Sequence, residues 1–289
     1  MNDPMKNQTP MISPDVADTN PVVDFYYFTD PVCSHCWALE GVMNRIKHEY
    51  ANHLNVVTVM GGMMENAASP DEAAEMAEHW SKIALYYNMP IDGKLWTEST
   101  LSSTWPPSIC YLVLRDLDPV RAARFLRLVR EAAFLDRRDV GTRDVLRDLL
   151  TVVDADAESI LDVAFSEAGR SLLLSNMKPM VEFDITAFPT VVIVNQAGEG
   201  VKIVGVRTAE TYRKTIERML PPGTVLTSQG SEPLADLLDR IPTLFDNEVE
   251  KIYEIKKDDF LGFIAANLSA GTYETGERLG HRYVRRPLN

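Results

Sequence analysis

Phe25-Tyr26-Tyr27-Phe28-Thr29-Asp30-Pro31-Val32-Cys33-Ser34-His35-Cys36-Trp37 is the stretch that decides how the chain is read. The run Val22–Phe28 is aromatic and β-branched, as a buried strand requires. Asp30-Pro31 stops it as a turn. From Cys36 onward Leu39, Val42, Met43, Ile46 and Tyr50 recur at helical spacing. Arg45, Lys47 and His48 lie toward the far end, where cations suit the helix dipole. Two cysteines therefore open a helix. A thiol attacks as its thiolate, and a helix N-terminus stabilises that charge. Cys33 is expected to be the exposed nucleophile and Cys36 the shielded resolving thiol. His35 is expected to add positive character between them.

A Cys-x-x-Cys can also be half of a zinc site, but zinc needs two further ligands at matching spacing. The remaining cysteine is Cys110, in an apolar helix where a buried thiol is expected. His48, His53, His79 and His281 form no ligand pair. The expectation is redox chemistry with no metal and no cofactor, the electrons residing in the two sulfurs. Asp30 reads as a turn-former, with help in proton transfer to the resolving thiol as the alternative.

Outward from this stretch, Leu54–Met60 reads as a second strand ended by Gly61-Gly62, which makes a right-handed βαβ unit with parallel strands. Ser69-Pro70-Asp71-Glu72 starts a helix that runs to about Tyr87. Helices are then predicted over Ile109–Leu117, Pro119–Phe134, Thr142–Val153, Ala157–Phe165 and Glu167 to about Asp184. Val191–Val194 and Val201–Val206 form a hairpin about Gln196–Gly200. Thr208–Leu220 closes as a helix, which gives a thioredoxin-like ββα half. Pro221-Pro222-Gly223 breaks the chain. Leu234–Leu244, Asp246–Ile255 and Lys257–Gly271 read as three helices, and Tyr273–Arg286 as a hairpin around Gly280. That is the outline of a winged helix. From Leu234 to Asn289 there are 8 Lys+Arg against 10 Asp+Glu. A protein partner is expected there, not DNA, which calls for a basic stripe.

Asp30–Trp37, Met60-Gly61-Gly62-Met63, His79-Trp80, Ser102–Ser108 and Ala187-Phe188-Pro189-Thr190 together resemble the DsbA family of thioredoxin-fold proteins. The resemblance is to the branch without a signal peptide, which holds FrnE-type dithiol–disulfide isomerases and SpxH (YjbH)-type adaptors of the ClpXP protease. It covers about Val22 to Leu220. It implies an α/β thioredoxin-like fold made of 22–66 and 185–220, with an all-helical insertion at 67–184. A flexible arm at 1–21, a linker at 221–233 and a winged-helix-like module at 234–289 complete the expected organisation. The resemblance also implies a cis-proline at Pro189 facing the cysteines, with the backbone before it pairing with a bound peptide. The catalytic set is then Cys33, Cys36, His35 and Pro189. Phe188, Trp37, Trp105 and Ser34 are the candidate substrate contacts. Trp37 either lines the surface beside Cys33 or packs on the helical block, whereas Trp80 is expected in the core.

Composition sets bounds on the function. The chain has 289 residues, 45% of them hydrophobic, with a net charge of -13. An acidic body argues against general nucleic-acid binding. No apolar run approaches the roughly 18 residues of a membrane span. Met1–Asn20 lacks the basic and apolar regions of a secretory signal, so a reducing cytoplasm is the expected setting. The expected activity is thiol–disulfide exchange on a protein or peptide. The alternative is a non-catalytic adaptor that presents a regulator to ClpXP. A kappa-class glutathione transferase is a weaker third reading, because those proteins characteristically carry serine at the position of Cys33.

Overall fold

The computed structural model describes residues 22–287; the expected N-terminal arm lies outside them. Strand β1 (Val23–Thr29) leads through a turn into α1 (Ser34–Glu49) and then β2 (Leu54–Met60). The helical block follows: α2 (Pro70–Tyr87), α3 (Leu95–Glu98), α4 (Trp105–Leu117), α5 (Pro119–Phe134), α6 (Arg143–Val152), α7 (Ala157–Ala164), α8 (Glu167–Asn176) and α9 (Lys178–Glu182). The chain returns as β3 (Thr190–Val194), β4 (Gly200–Val204) and α10 (Ala209–Met219).

One sheet has the order β2-β1-β3-β4. β1 runs parallel to β2, from Val23↔Leu54 to Thr29↔Met60, and antiparallel to β3, with Phe28↔Thr190. Alternation along β1 sends Val23, Phe25 and Tyr27 onto Leu39, Val42 and Ile46 of α1 and Tyr212 of α10. Phe28 faces the other way, onto Val59, Ile185 and Val192. The helical block has its own core, in which Trp80 lies 4.5 Å from the Phe134 ring.

Local chemistry starts the helices. Ser69 and Glu72 form a reciprocal capping box before Pro70 at the head of α2. Asp118 accepts the N–H groups of Val120 (3.0 Å) and Arg121 (3.1 Å) ahead of α5. The single helix expected over Glu167–Asp184 is instead α8 and α9, broken at Met177. Pro179 has no N–H to continue the ladder, so the helix restarts around it.

The C-terminal region runs α11 (Leu234–Arg240), β5 (Thr243–Phe245), α12 (Asp246–Tyr253), α13 (Phe260–Asn267), β6 (Glu274–Arg278) and β7 (His281–Arg285). Its sheet has the order β5-β7-β6. This is the element order of a winged helix. The helix expected over Leu234–Leu244 ends at Arg240, because Pro242 cannot join it and Thr243–Phe245 pairs with β7. The region has a core of Leu237, Val249, Ile252, Phe260 and Ile264, yet Phe245 belongs to the core of the helical block. α12 lies directly on α1: a Cβ at Gly41 would stand 3.2 Å from the Cα of Glu248. Lys251 donates to the Ala38 carbonyl at 3.1 Å.

Candidate active site

Cys33 is the N-cap of α1. Its sulfur accepts the Cys36 backbone N–H at 3.1 Å, and the two sulfurs are joined as a disulfide with Cα atoms 5.1 Å apart. Residues 34 to 36 form the first turn, which holds no acidic side chain. The same N–H that meets the sulfur here would stabilise it as an anion after reduction. The pair is more covered than expected: Cys33 is 3% exposed and Cys36 0%. The open nucleophile inferred from the sequence is not what the disulfide form presents. As N-cap, the Cys33 side chain turns inward over the first helical turn to reach both its hydrogen bond and its partner sulfur.

His35 is half-buried between two side chains of α2. His79 lies 5.4 Å away between ring centroids, and Tyr87 meets it edge-on at 5.7 Å. Burial, then the nearby His79, holds the His35 imidazole below its ordinary value. The neutral ring is therefore favoured at neutral pH, in place of the cation expected from sequence.

Trp37 takes the inward of its two expected positions. It is fully buried, stacks on Phe134 at 5.6 Å and donates its indole N–H to the Pro90 carbonyl at 3.1 Å. It does not line the surface beside Cys33, because α1 turns this position into the helical core. Ser34 is buried as well. The Phe188–Pro189 peptide bond is cis. Continuing the β1–β3 register from Phe28↔Thr190 sets Pro189 opposite Thr29, at the strand end that leads to the cysteines. Phe188 and Trp105 both meet the Gly61-Gly62 loop. A methyl group at Gly61 would fall within the Phe188 ring, and the Trp105 indole donates to the Gly62 carbonyl at 3.0 Å.

Asp30 does more than form a turn. Its carboxylate, fully buried, accepts the Val32 N–H (3.0 Å), the Met63 N–H (2.9 Å) and the Thr104 hydroxyl (3.1 Å). It thus ties the approach to Cys33 to the loop after β2 and to the start of α4. Burial raises its pKa, against the lowering effect of those three hydrogen bonds and of Arg130.

A buried charge cluster that sequence reading missed lies one turn after Cys36. Glu40 of α1 pairs with Arg130 at 2.9 Å, and Arg130 also donates to Thr29 at 2.8 Å. Arg127 lies 3.4 Å from Glu40 and donates to Glu248 of α12 at 2.6 Å and to the Thr243 carbonyl at 2.6 Å. Its guanidinium stacks over Trp37 at 4.3 Å. Cys110 is buried in α4, and burial pushes its thiol up, which keeps it inert. Among the described residues no three His, Cys, Asp or Glu side chains gather as metal ligands. No helix there is long and apolar enough to cross a membrane.

The family model described as Thioredoxin matches residues 26–214, more than half of the chain. The ClpXP adapter protein SpxH of Halalkalibacterium halodurans is 26% identical over 246 residues, covering 82% of this chain and 80% of that one. SpxH of Bacillus subtilis is 23% identical over 241 residues, with the same coverage. Among solved structures, a putative protein disulfide isomerase from Nitrosomonas europaea superposes with a TM-score of 0.61 at 21% identity, covering 68% of this chain and 97% of its own. The cytosolic disulfide reductase DsbM from Pseudomonas aeruginosa gives 0.57 at 20% identity, again over 68% and 97%. At such identities these structures establish likeness of fold.

Proposed function

The chain belongs to the thioredoxin family, and on that premise we propose that it is a thiol–disulfide oxidoreductase working through Cys33 and Cys36 on protein or peptide substrates. The observation that carries this reading is the placement of Cys33 as N-cap, its sulfur on the Cys36 N–H and its partner sulfur within the same turn. In the reduced protein the Cys33 thiolate attacks a substrate disulfide. One enzyme–substrate S–S bond forms, the substrate S–S bond breaks, and the departing sulfur takes a proton. The Cys36 thiolate then attacks Cys33, closing the internal disulfide and releasing the second substrate thiol. Two electrons have passed to the substrate, and an external thiol of the reducing cytoplasm restores the dithiol. Run backward, the same steps oxidise a substrate dithiol. Pro189 and Phe188, beside the end of β1, are the proposed backbone contacts for the substrate strand. Trp105 belongs to the adjoining loop contacts.

Reduction of insulin disulfides by the whole chain and by Cys33→Ala tests the reading. Turnover by the first and a loss of about 10³-fold or more in the second are expected, since the attacking sulfur is gone. Equal, negligible rates remove the enzymatic reading. A second reading, an adaptor that delivers a client to a protease, is supported by coverage. The similarity to SpxH proteins extends over 82% of the chain, against 68% for the oxidoreductase structures. The C-terminal hairpin arginines are engaged internally, Arg285 with Glu274, Arg286 with Asp239 and Arg278 with Asp136. That supports a protein partner over DNA for this region. Client degradation that persists in a Cys33→Ala/Cys36→Ala chain would favour the adaptor.

A further inference from the structure

Beside the dithiol turn the surface opens into a cavity of about 510 Å³, within the range of about 300–1,000 Å³ that ligand sites occupy. Asp30 and Val32, shortly upstream of Cys33, are among its lining residues. Trp96 and Leu101 from the helical block form apolar wall, and Met63, Met64 and Met76 add three thioethers. Thioether side chains are flexible and polarisable, so such a wall adapts to apolar groups of differing shape. The charge is one-sided. Glu65, Glu72 and Glu75 line the cavity together with Asp30, and among the described residues no lysine, arginine or histidine does. Arg170 answers Glu65, and Glu72 is engaged with Ser69 in the capping box. Glu75 is exposed and forms no ion pair among the described residues.

We infer that this cavity receives the segment flanking the reactive cysteine of a protein substrate, and that it selects segments that are basic and apolar. The inference rests on the dithiol exchange proposed above and names the substrate class for that site. An apolar residue near the substrate cysteine enters among the methionines, and a lysine or arginine next to it faces the carboxylates. The net charge of -13 works in the same direction at long range, favouring approach of a cationic segment. Glutathione-like peptides, with two carboxylates and one amine, are poorly matched to the same rim.

The test uses the reduced full chain and short peptides whose single cysteine is blocked as a mixed disulfide with a chromogenic thiol. The cysteine is flanked by Leu-Arg, by Leu-Glu or by Ser-Gly, and the second-order rate of thiol release is read. The Leu-Arg peptide is expected to react about 10-fold faster than the Leu-Glu peptide at low salt, the gap narrowing as ionic strength rises. In Glu65→Gln/Glu75→Gln that ratio falls at least about 3-fold, and Met76→Lys brings it to one or inverts it. A ratio near one in the wild type, or one that both variants leave intact, overturns the inference. Failure of the wild type to exchange with oxidised β-mercaptoethanol is a separate result: it removes the dithiol reading on which the inference stands.

Discussion

Two groups of acids approach the helix that carries the dithiol, and they are held in opposite ways. Glu40 and Glu248 are buried, and each is met by an arginine that is itself 3% exposed or less. Glu65, Glu72 and Glu75 stand in solvent around an open cavity, and none of them faces a buried cation. A carboxylate removed from water must be paired or it will not stay charged, so the first group fixes structure. A carboxylate left in water keeps its charge available to a visiting cation. The same residue type thus joins α12 to α1 in one place and gives a binding surface its sign in the other.

Removing a cation from the buried group should give the largest effect. Arg127→Met leaves Glu40, Glu131 and Glu248 each one arginine partner short and removes the hydrogen bond to the Thr243 carbonyl. A loss of about 3–5 kcal/mol is expected from urea denaturation. Glu75→Gln, in the open group, should change stability by no more than about 0.5 kcal/mol. If the two substitutions cost the same, the distinction between the groups is wrong. Exchanging Arg127, Arg130, Glu40, Glu131 and Glu248 together for apolar residues of similar volume should recover much of the loss. Arg130 pairs with Glu40 and Glu131 with Arg127, so no member of the cluster is then left charged without a partner.

These two groups also mark what could be read in advance. β1, α1 and β2 were legible because aromatic and helical periodicity is local, and the capping box of α2 lies within four residues. The pairing of Glu40 with Arg130 and of Arg127 with Glu248 was not. Single charges in helices read as solvent-facing, and 121 residues separate Arg127 from Glu248. β5 was hidden for a similar reason, since its partner β7 begins 36 residues after it ends and only that pairing makes it a strand. Within the site, the positions of the two cysteines in the first turn were legible from spacing, and the expectation of a cis Pro189 came from family resemblance. The covering of Cys33 and the inward turn of Trp37 depend on how α1 meets the helical block, which no local pattern records.

Acid should act on the buried group in a defined sense. Burial pushes the Glu40 carboxyl up, but Arg130 and Arg127 prevail and hold it below its ordinary value of 4.5. A carboxyl depressed in the folded chain contributes stability that is present above the unfolded value and lost as pH falls through the folded one. Stability measured from pH 6 down to pH 3 should therefore fall more steeply in the wild type than in Glu40→Gln. Comparing the two chains cancels Asp30, whose raised value acts in the opposite sense. Glu131 is raised too, but partly by Glu40 itself, so its opposing contribution shrinks in the variant and offsets part of the difference. Superimposable slopes would mean that Glu40 is not held ionised by its arginines.

The smallest expected effect concerns His35, which belongs to neither group and is flanked by His79, Tyr87 and, through Tyr87, Tyr86 and Arg207. Burial first and His79 second keep its proton off. Replacing His79 by Asn removes the second cause alone, so the His35 ring should titrate at higher pH, closer to 6.5, as followed by NMR of the oxidised chain. Folding linkage has the matching sign. A histidine depressed in the folded state contributes stability present above 6.5 and lost as pH falls through its folded value, and His79→Asn should shrink that loss. The reduced chain gives the chemical counterpart: with His35 neutral at pH 7, that ring adds no positive charge beside the Cys33 thiolate, which sits at the helix N-terminus. A cationic neighbour appears only in acid, and it should appear at higher pH in the variant. If the His35 titration does not move in His79→Asn, the ring contact carries no electrostatic weight and burial alone sets the protonation of the residue between the two cysteines.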